Sequence, residues 1–396
     1  MYQRNQFETI TSRIKEDRHF IQVIAGPRQV GKSTLINQVL ESIDVPYHFC
    51  TADSAVASNS GWISEQWETA RSNMAANSLD EYLIVIDEIQ KIFNWSEVVK
   101  KEWDQDSLNK LNIKVVLLGS SRLLLKKGLT ESLAGRFEMI RMGHWTFSEM
   151  HEAFGWDINQ YIYFGGYPGC AYMIDNESRW KQYIIDSIIE PAIAKDALMT
   201  ATVYKPALLR QLFELGCSYS GELLSLNKML GQLDDAGNVT TLAGYLEILS
   251  ECHLIKGLQK YANDNSRKYN SIPKYQVYNQ ALLSVYNGRG YVEERTNPTR
   301  WGRWTESAVG AYLVGLADQC DYKVYYWREN SDEVDFILSR RGRLIAIEVK
   351  SGKRTTSSGL TVFREKFSPK NSIIVGSGGI PVEEFLHWDL GKLLDN

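Results

Sequence analysis

Apolar residues follow two regimes along this chain. In the first 150 residues they come in short, nearly unbroken runs: Phe20-Ile21-Gln22-Val23-Ile24-Ala25, Leu83-Ile84-Val85-Ile86, Val115-Val116-Leu117-Leu118 and Phe137-Glu138-Met139-Ile140. Runs this short between polar turns predict strands buried on both faces of a parallel sheet. Past about residue 150 the β signal fades. Gly165-Gly166-Tyr167-Pro168-Gly169 is a turn-rich break, and residues 178 to 232 read mostly as helix. Isoleucines 184, 185, 188, 189 and 193 form a helical stripe broken only by Pro191. A helix from Leu223 to Leu233, a turn at Asn238-Val239-Thr240 and a second helix from Tyr245, followed by Leu254-Ile255, suit a winged helix-turn-helix. Strand patterns return in the C-terminal third. Asp332–Leu338 and Leu344–Gly352 flank the basic turn Ser339-Arg340-Arg341-Gly342-Arg343, which predicts a hairpin.

The first of these strands leads into Gly26-Pro27-Arg28-Gln29-Val30-Gly31-Lys32-Ser33-Thr34. This fits the phosphate-loop pattern G-x-x-x-x-G-K-[ST], with a strand before it and a helix after. Two glycines let the backbone curl so that several N–H groups face an anion, and the following helix adds its positive end. Lys32 is placed to reach the β- and γ-phosphates, and Ser33 to ligate Mg²⁺. The run Leu83–Ile86 ends in Asp87-Glu88. Beside a phosphate loop, Asp87 would hold Mg²⁺ through its waters and Glu88 would orient or deprotonate the attacking water. A third strand ends in Ser120-Ser121. Ser120, with Ser121 close behind, is placed to sense the γ-phosphate or the lytic water; the alternative is a cap for a helix from Leu123. Arg136 precedes the fourth strand and could stabilise transition-state charge from a neighbouring subunit; an ordinary surface ion pair is the other reading.

These pieces, in this order, resemble the AAA-type ATPases of bacteria and archaea. The resemblance rests on Gly26–Thr34, on Ile86-Asp87-Glu88-Ile89-Gln90-Lys91, on Gly119-Ser120-Ser121 and on Ala134-Gly135-Arg136. It implies ATP as the nucleotide, a doubly wound α/β core with the nucleotide at the strand C-termini, and sites shared between subunits of a homo-oligomer.

In the C-terminal hairpin, Asp335 opens the apolar part of one strand, and Glu348 and Lys350 share a face of the next. Two carboxylates from adjacent strands make a hard-oxygen site suited to Mg²⁺ or Mn²⁺. A lysine two positions on could orient a metal-bound water or stabilise charge in phosphodiester cleavage. Glu306, on a helix opening at Gly302-Arg303-Trp304, is the natural further acid. The arrangement resembles the PD-(D/E)xK nuclease superfamily, with Val334 standing where the namesake motif has proline. It implies a restriction-endonuclease-like domain, active or retained as an inactive DNA-binding unit.

The chain of 396 residues has 44% hydrophobic and 23% charged residues and a net charge of −4, so any basic surface is local. Between Lys260 and Arg303 there are eight Lys/Arg (260, 267, 268, 274, 289, 295, 300, 303) against three acids (264, 293, 294), interleaved with tyrosines 261, 269, 275, 278, 286 and 291 and with Trp301. That mixture suits phosphates and stacked bases; a solvated face with inward tyrosines is the alternative. Five scattered cysteines, an N-terminus without an apolar stretch and the lack of a membrane-length apolar run lead to the expectation of a cytoplasmic protein. Histidines 48, 144, 151, 253 and 387 show no ligand spacing.

The expected organisation is an AAA-type P-loop ATPase over 1–155, a helical lid and winged helix over 156–258, and a nuclease-like α/β domain over 259–396. The function expected is ATP-dependent cutting of branched or single-stranded DNA. The rivals are an ATP-driven switch whose C-terminal domain docks DNA or protein without cutting, and a regulatory ATPase acting on a protein partner.

Overall fold

The computed structural model describes residues 2–56, 59, 61–120, 129, 132–198, 203–234, 237–263, 271–351 and 358–395. Ser121, the helix expected from Leu123, and Arg267, Lys268 and Tyr269 of the basic stretch lie outside them. By its internal packing the chain divides into two compact units, Met1–Met142 and Gly143–Asn396. The helical middle and the C-terminal third, expected as separate domains, fall in one of these.

In the first unit, β1 (Ile21–Ala25), β2 (Tyr47–Thr51), β3 (Tyr82–Asp87), β4 (Ile113–Gly119) and β5 (Phe137–Arg141) form one sheet in the order β2-β3-β4-β1-β5. Every neighbouring pair is parallel. All residues of β1, β3 and β4 are buried, as their apolar runs require. Ile21, Val23, Ile84, Ile86, Val115 and Leu117 pack on Trp67, Trp95, Val99 and Trp103 of the helices Gly61–Ala76 and Trp95–Leu108. On the opposite face, Gln22 accepts a hydrogen bond from Arg13 of the Gln6–Lys15 helix at 3.2 Å. The result is an α/β core with helices on both faces. Strand β2 has no apolar run and escapes the sequence pattern because it is the sheet edge, with Tyr47 46% exposed.

The second unit begins with helices. The stripe around Pro191 is a helix, Glu177–Ile184, that continues through wider π turns at Ile185–Ile189 and Ala192–Ala197. Helices Pro206–Ser218, Leu226–Leu230 and Val239–Glu251 follow. The last starts earlier than expected because the Asn238 side chain accepts from Thr241 N–H at 2.8 Å and caps it. Leu254-Ile255 then opens into β6 (Ile255–Leu258), antiparallel to β7 (Lys274–Val277).

Strands β8 (Lys323–Glu329), β9 (Asp332–Arg340), β10 (Arg343–Lys350) and β11 (Asn371–Gly376) form a sheet in the order β11-β10-β9-β8. Pairs β8–β9 and β9–β10 are antiparallel, and β10–β11 is parallel. The basic turn is the two-residue hairpin loop Arg341-Gly342, with φ of 48° and 82°, both in the region a type I′ turn demands. The helix Pro298–Ala317 packs on this sheet at Gly310, where a Cβ would come within 2.0 Å of Gln276 Oε1 and 2.8 Å of Phe336. Helix Ser358–Phe367 buries Leu360 and Phe363 against Trp327, Val334 and Ala346. Among the described residues, no helix is long and apolar enough to cross a membrane.

Candidate functional site

The sheet order places β4 between β1 and β3, so the phosphate loop, Ser120 and the Asp87-Glu88 pair emerge side by side at one sheet end. Gly31 has φ +86° and Gln29 φ +60°, the left-handed turns that curl the loop before the Lys32–Glu41 helix starts. Lys32 is buried and donates from Nζ to the Gly26 and Pro27 carbonyls at 3.0 and 2.7 Å, so its ammonium lies within the loop. Ser33 donates to Asp87 Oδ2 at 2.6 Å, and Asp87 Oδ1 accepts Glu88 N–H at 2.8 Å. A hydroxyl and a carboxylate in contact beside a nest of backbone N–H groups are a donor set that fits Mg²⁺ with a polyphosphate. Pro27, Arg28 and Val30 complete the loop, and Thr34 follows in the helix, exposed.

Glu88 has φ +53°, a left-handed backbone that costs a non-glycine residue about 1–3 kcal/mol. The turn aims its carboxylate at β4, where Ser120 Oγ donates to Glu88 Oε2 at 3.1 Å. Gln90 joins them, with Nε2 donating to Glu88 Oε2 and, at 3.2 Å, to Ser120 Oγ. Its own Oε1 is buried without a hydrogen-bond partner among the described residues. Sequence reasoning missed the role of Gln90, although its place two residues past Glu88 was visible. Arg4 was missed as well: it donates to the Val30 carbonyl at 3.1 Å and props the loop from 26 positions upstream.

Arg136 is not part of this cluster. Its carbonyl accepts the Ile21 N–H at 2.8 Å, at the far end of β1 from Gly26, about 16 Å away at 3.3 Å per residue. Its guanidinium forms a two-pronged pair with Asp104 at 2.8 and 3.1 Å. The ion-pair reading therefore describes Arg136 within its own chain.

The C-terminal motif residues do meet. The β9–β10 ladder ends at the Phe336–Ile347 pair, while β10 continues along β11 to Lys350. Where the strands part, Asp335 Oδ2 takes the Val349 N–H at 2.8 Å in place of a backbone carbonyl. Glu348, 5% exposed, pairs through Oε1 with Lys350. Its Oε2 is buried without a hydrogen-bond partner among the described residues. Burial, then the Asp335 charge, pushes the Glu348 carboxyl up to about 7. Glu306 also rises to about 7, again by burial and then Asp335.

Lys274 bears on two expectations. Its ammonium, 1% exposed, sits 2.7 Å from Glu306 Oε1, 3.4 Å from Asp335 Oδ1 and 3.9 Å from Glu333 Oε1. It is thus an internal cation and adds nothing to a basic surface. It also pairs with Glu306, the further acid expected beside Glu348, and no three-ligand metal cluster occurs among the described residues. The basic stretch is further spent within the chain: Arg300 pairs with Glu294 at 3.0 Å, Arg289 with Glu293 at 3.1 Å and Arg303 with Glu222 at 2.9 Å. Tyr275 and Tyr278 are buried.

Comparison with known proteins agrees with the first site. Residues 18–151 match the family described as the AAA domain. Residues 155–291 and 301–384 match two domains of unknown function, DUF8612 and DUF4143. An uncharacterized protein of Haemophilus influenzae is 22% identical over 354 residues, 84% of this chain and 83% of that protein. The Walker-type ATPase of Pyrococcus abyssi aligns in structure over 72% of this chain and 96% of its own, at 14% identity and a TM-score of 0.50. The RuvB Holliday junction branch migration motor of Thermotoga maritima covers 63% of this chain and 85% of its own at 17% identity; its TM-score of 0.31 is too low to argue from. With the phosphate loop, the Ser33–Asp87 pair and Glu88 assembled at one end of a parallel sheet, the N-terminal part of this chain is an AAA-type P-loop ATPase domain.

Proposed function

We propose that this protein couples ATP hydrolysis to metal-dependent cleavage of DNA. The carrying observation is the second cluster, where Asp335, Glu348 and Lys350 converge at the parting of β9 and β10, with Glu348 Oε2 buried and unpartnered among the described residues. Two adjacent carboxylates with a free buried oxygen fit a hard divalent cation, Mg²⁺ or Mn²⁺. A cation there supplies Lewis-acid polarisation of a phosphate and a more acidic bound water. Asp335 and Glu348 would hold it, and Lys350 would stabilise charge building on the phosphodiester oxygens. In the ATPase, Lys32 would bind the β- and γ-phosphates, Ser33 and Asp87 would hold Mg²⁺, and Glu88 would orient or deprotonate the attacking water.

DNA as the substrate is supported by a cleft of about 920 Å³ in the second unit. Lys228, Lys260 and Arg328 line it together with Tyr261, Tyr326 and Phe367. Cations with aromatic faces suit single-stranded or branched DNA. The three helices followed by β6 and β7 offer a winged-helix arrangement as a further contact.

The test is cleavage of duplex, single-stranded, forked and four-way DNA with Mg²⁺ or Mn²⁺, with and without ATP. Cutting that disappears in Glu348→Ala supports the proposal, and Lys32→Ala reports whether ATP controls it. Failure to cut any form sinks it. Lys274 favours a second reading, in which neutralised acids leave an ATP-driven switch that binds without cutting. Salt-sensitive DNA binding that survives Glu348→Ala, without cutting, would select it.

A further inference from the structure

We infer that Lys274 fills a cation position of the acidic cluster, so that the site takes one divalent cation, held by Asp335 and Glu348 and not by Glu306. The inference rests on the metal-dependent reading above and sets the number of ions and the role of each acid.

Three elements converge on the ammonium. Lys274 opens β7, Glu306 comes from the Pro298–Ala317 helix, and Asp335 and Glu333 come from β9. Burying a lone ammonium is strongly unfavourable unless carboxylates and hydrogen bonds surround it. Lys274 has three carboxylates within 4 Å, the Asp335 carbonyl at 3.4 Å and the Phe336 ring 4.9 Å away. Glu306, its nearest partner at 2.7 Å, faces this ammonium, which repels any divalent ion brought to the same oxygens.

The other side of Asp335 is different. Oδ2 accepts the Val349 N–H, which holds the carboxylate against β10, and Glu348 Oε2 is buried with no hydrogen-bond partner among the described residues. Lys274 is then a positioning residue that orients Asp335 without touching the metal or the substrate.

Mn²⁺ titration of the nucleotide-free full chain, followed by loss of the free-ion electron paramagnetic signal, tests this. The ions to count are those lost in Glu348→Gln. One such ion per chain is expected, with Glu306→Gln changing its affinity by no more than about threefold, since Glu306 is not a ligand. Lys274→Met, checked by circular dichroism, is expected to admit a second Mn²⁺ between Glu306 and Asp335. A wild type that binds two ions, a weakening of about tenfold or more in Glu306→Gln, or a folded Lys274→Met that still binds one ion would overturn the inference. The metal-dependent reading would survive those results. Binding of no Mn²⁺ would overturn both. If Lys274→Met does not fold, the wild-type stoichiometry and Glu306→Gln decide.

Discussion

Ser33 donates its hydroxyl hydrogen to Asp87 at 2.6 Å, tying the first turn of the helix after the phosphate loop to the end of β3, 54 positions away. Residues that act as one unit show non-additive losses. Ser33→Ala and Asp87→Ala are each expected to lower Mg²⁺-dependent ATP turnover by about two orders of magnitude, in the range of a lost charge-stabilising contact. The double variant should fall little further than the worse single one. Steady-state turnover of the three variants checks this, and fully multiplicative losses would mean that the two side chains work apart.

Glu88→Gln keeps the shape of the Glu88–Ser120–Gln90 group and removes the base. ATP affinity is expected to stay within about threefold while single-turnover hydrolysis drops about 10²–10⁴-fold. Gln90→Ala is expected to act the same way but more weakly, by about tenfold, because it only loosens the carboxylate. Fluorescent-nucleotide binding alongside rapid-quench hydrolysis separates the two effects. A Gln90→Ala protein hydrolysing at the wild-type rate would exclude Gln90 from the site.

How much of this was legible from sequence depends on distance along the chain. Gly26–Ser33 and Asp87-Glu88 were readable because each is a contiguous segment with its own strand. Asp335, Glu348 and Lys350 were readable for the same reason, since a hairpin keeps them near in sequence as well as in space. Lys274 was read as surface charge because nothing local marks a lysine as internal; its partners arrive from residues 306, 333 and 335. Edge strand β2 carries no burial pattern to read. Arg136 looked like a catalytic candidate from its neighbours, but only the β1–β5 pairing shows which end of the sheet it occupies.

Asp106 is fully buried between two helices, accepting from Trp67 Nε1 at 3.0 Å and from Arg71 Nε at 2.8 Å. Removing one partner of a buried ion pair strands the other. Asp106→Ala is expected to destabilise the first unit by about 3–5 kcal/mol, read as a lower urea midpoint. A loss under about 1 kcal/mol would show that Arg71 finds Glu102 and Glu68 sufficient.

The Glu348 carboxyl has an ordinary value of 4.5 and is pushed up to about 7 in the folded chain, by burial and then by Asp335. A raised acid binds a proton in the folded state that the unfolded state has already released. Its contribution is therefore favourable at low pH and is lost as pH rises from 4.5 through 7. Glu348→Gln carries no such proton. Without divalent cations, the wild-type melting temperature is expected to fall relative to Glu348→Gln as pH is raised from about 5 to about 8. Parallel curves would place the Glu348 carboxyl near its ordinary value.

Beyond the Phe336–Ile347 pair, the ladder that supports β10 is the one with β11, reaching the Lys350–Gly376 pair and reinforced by Ser377 N–H to the Lys350 carbonyl at 2.8 Å. The stretch that carries Glu348 and Lys350 is thus held by residues that come after them in the chain. A protein shortened to residue 370 would still spell out Asp335, Glu348 and Lys350, yet it would lack the rail along which the last two are spaced.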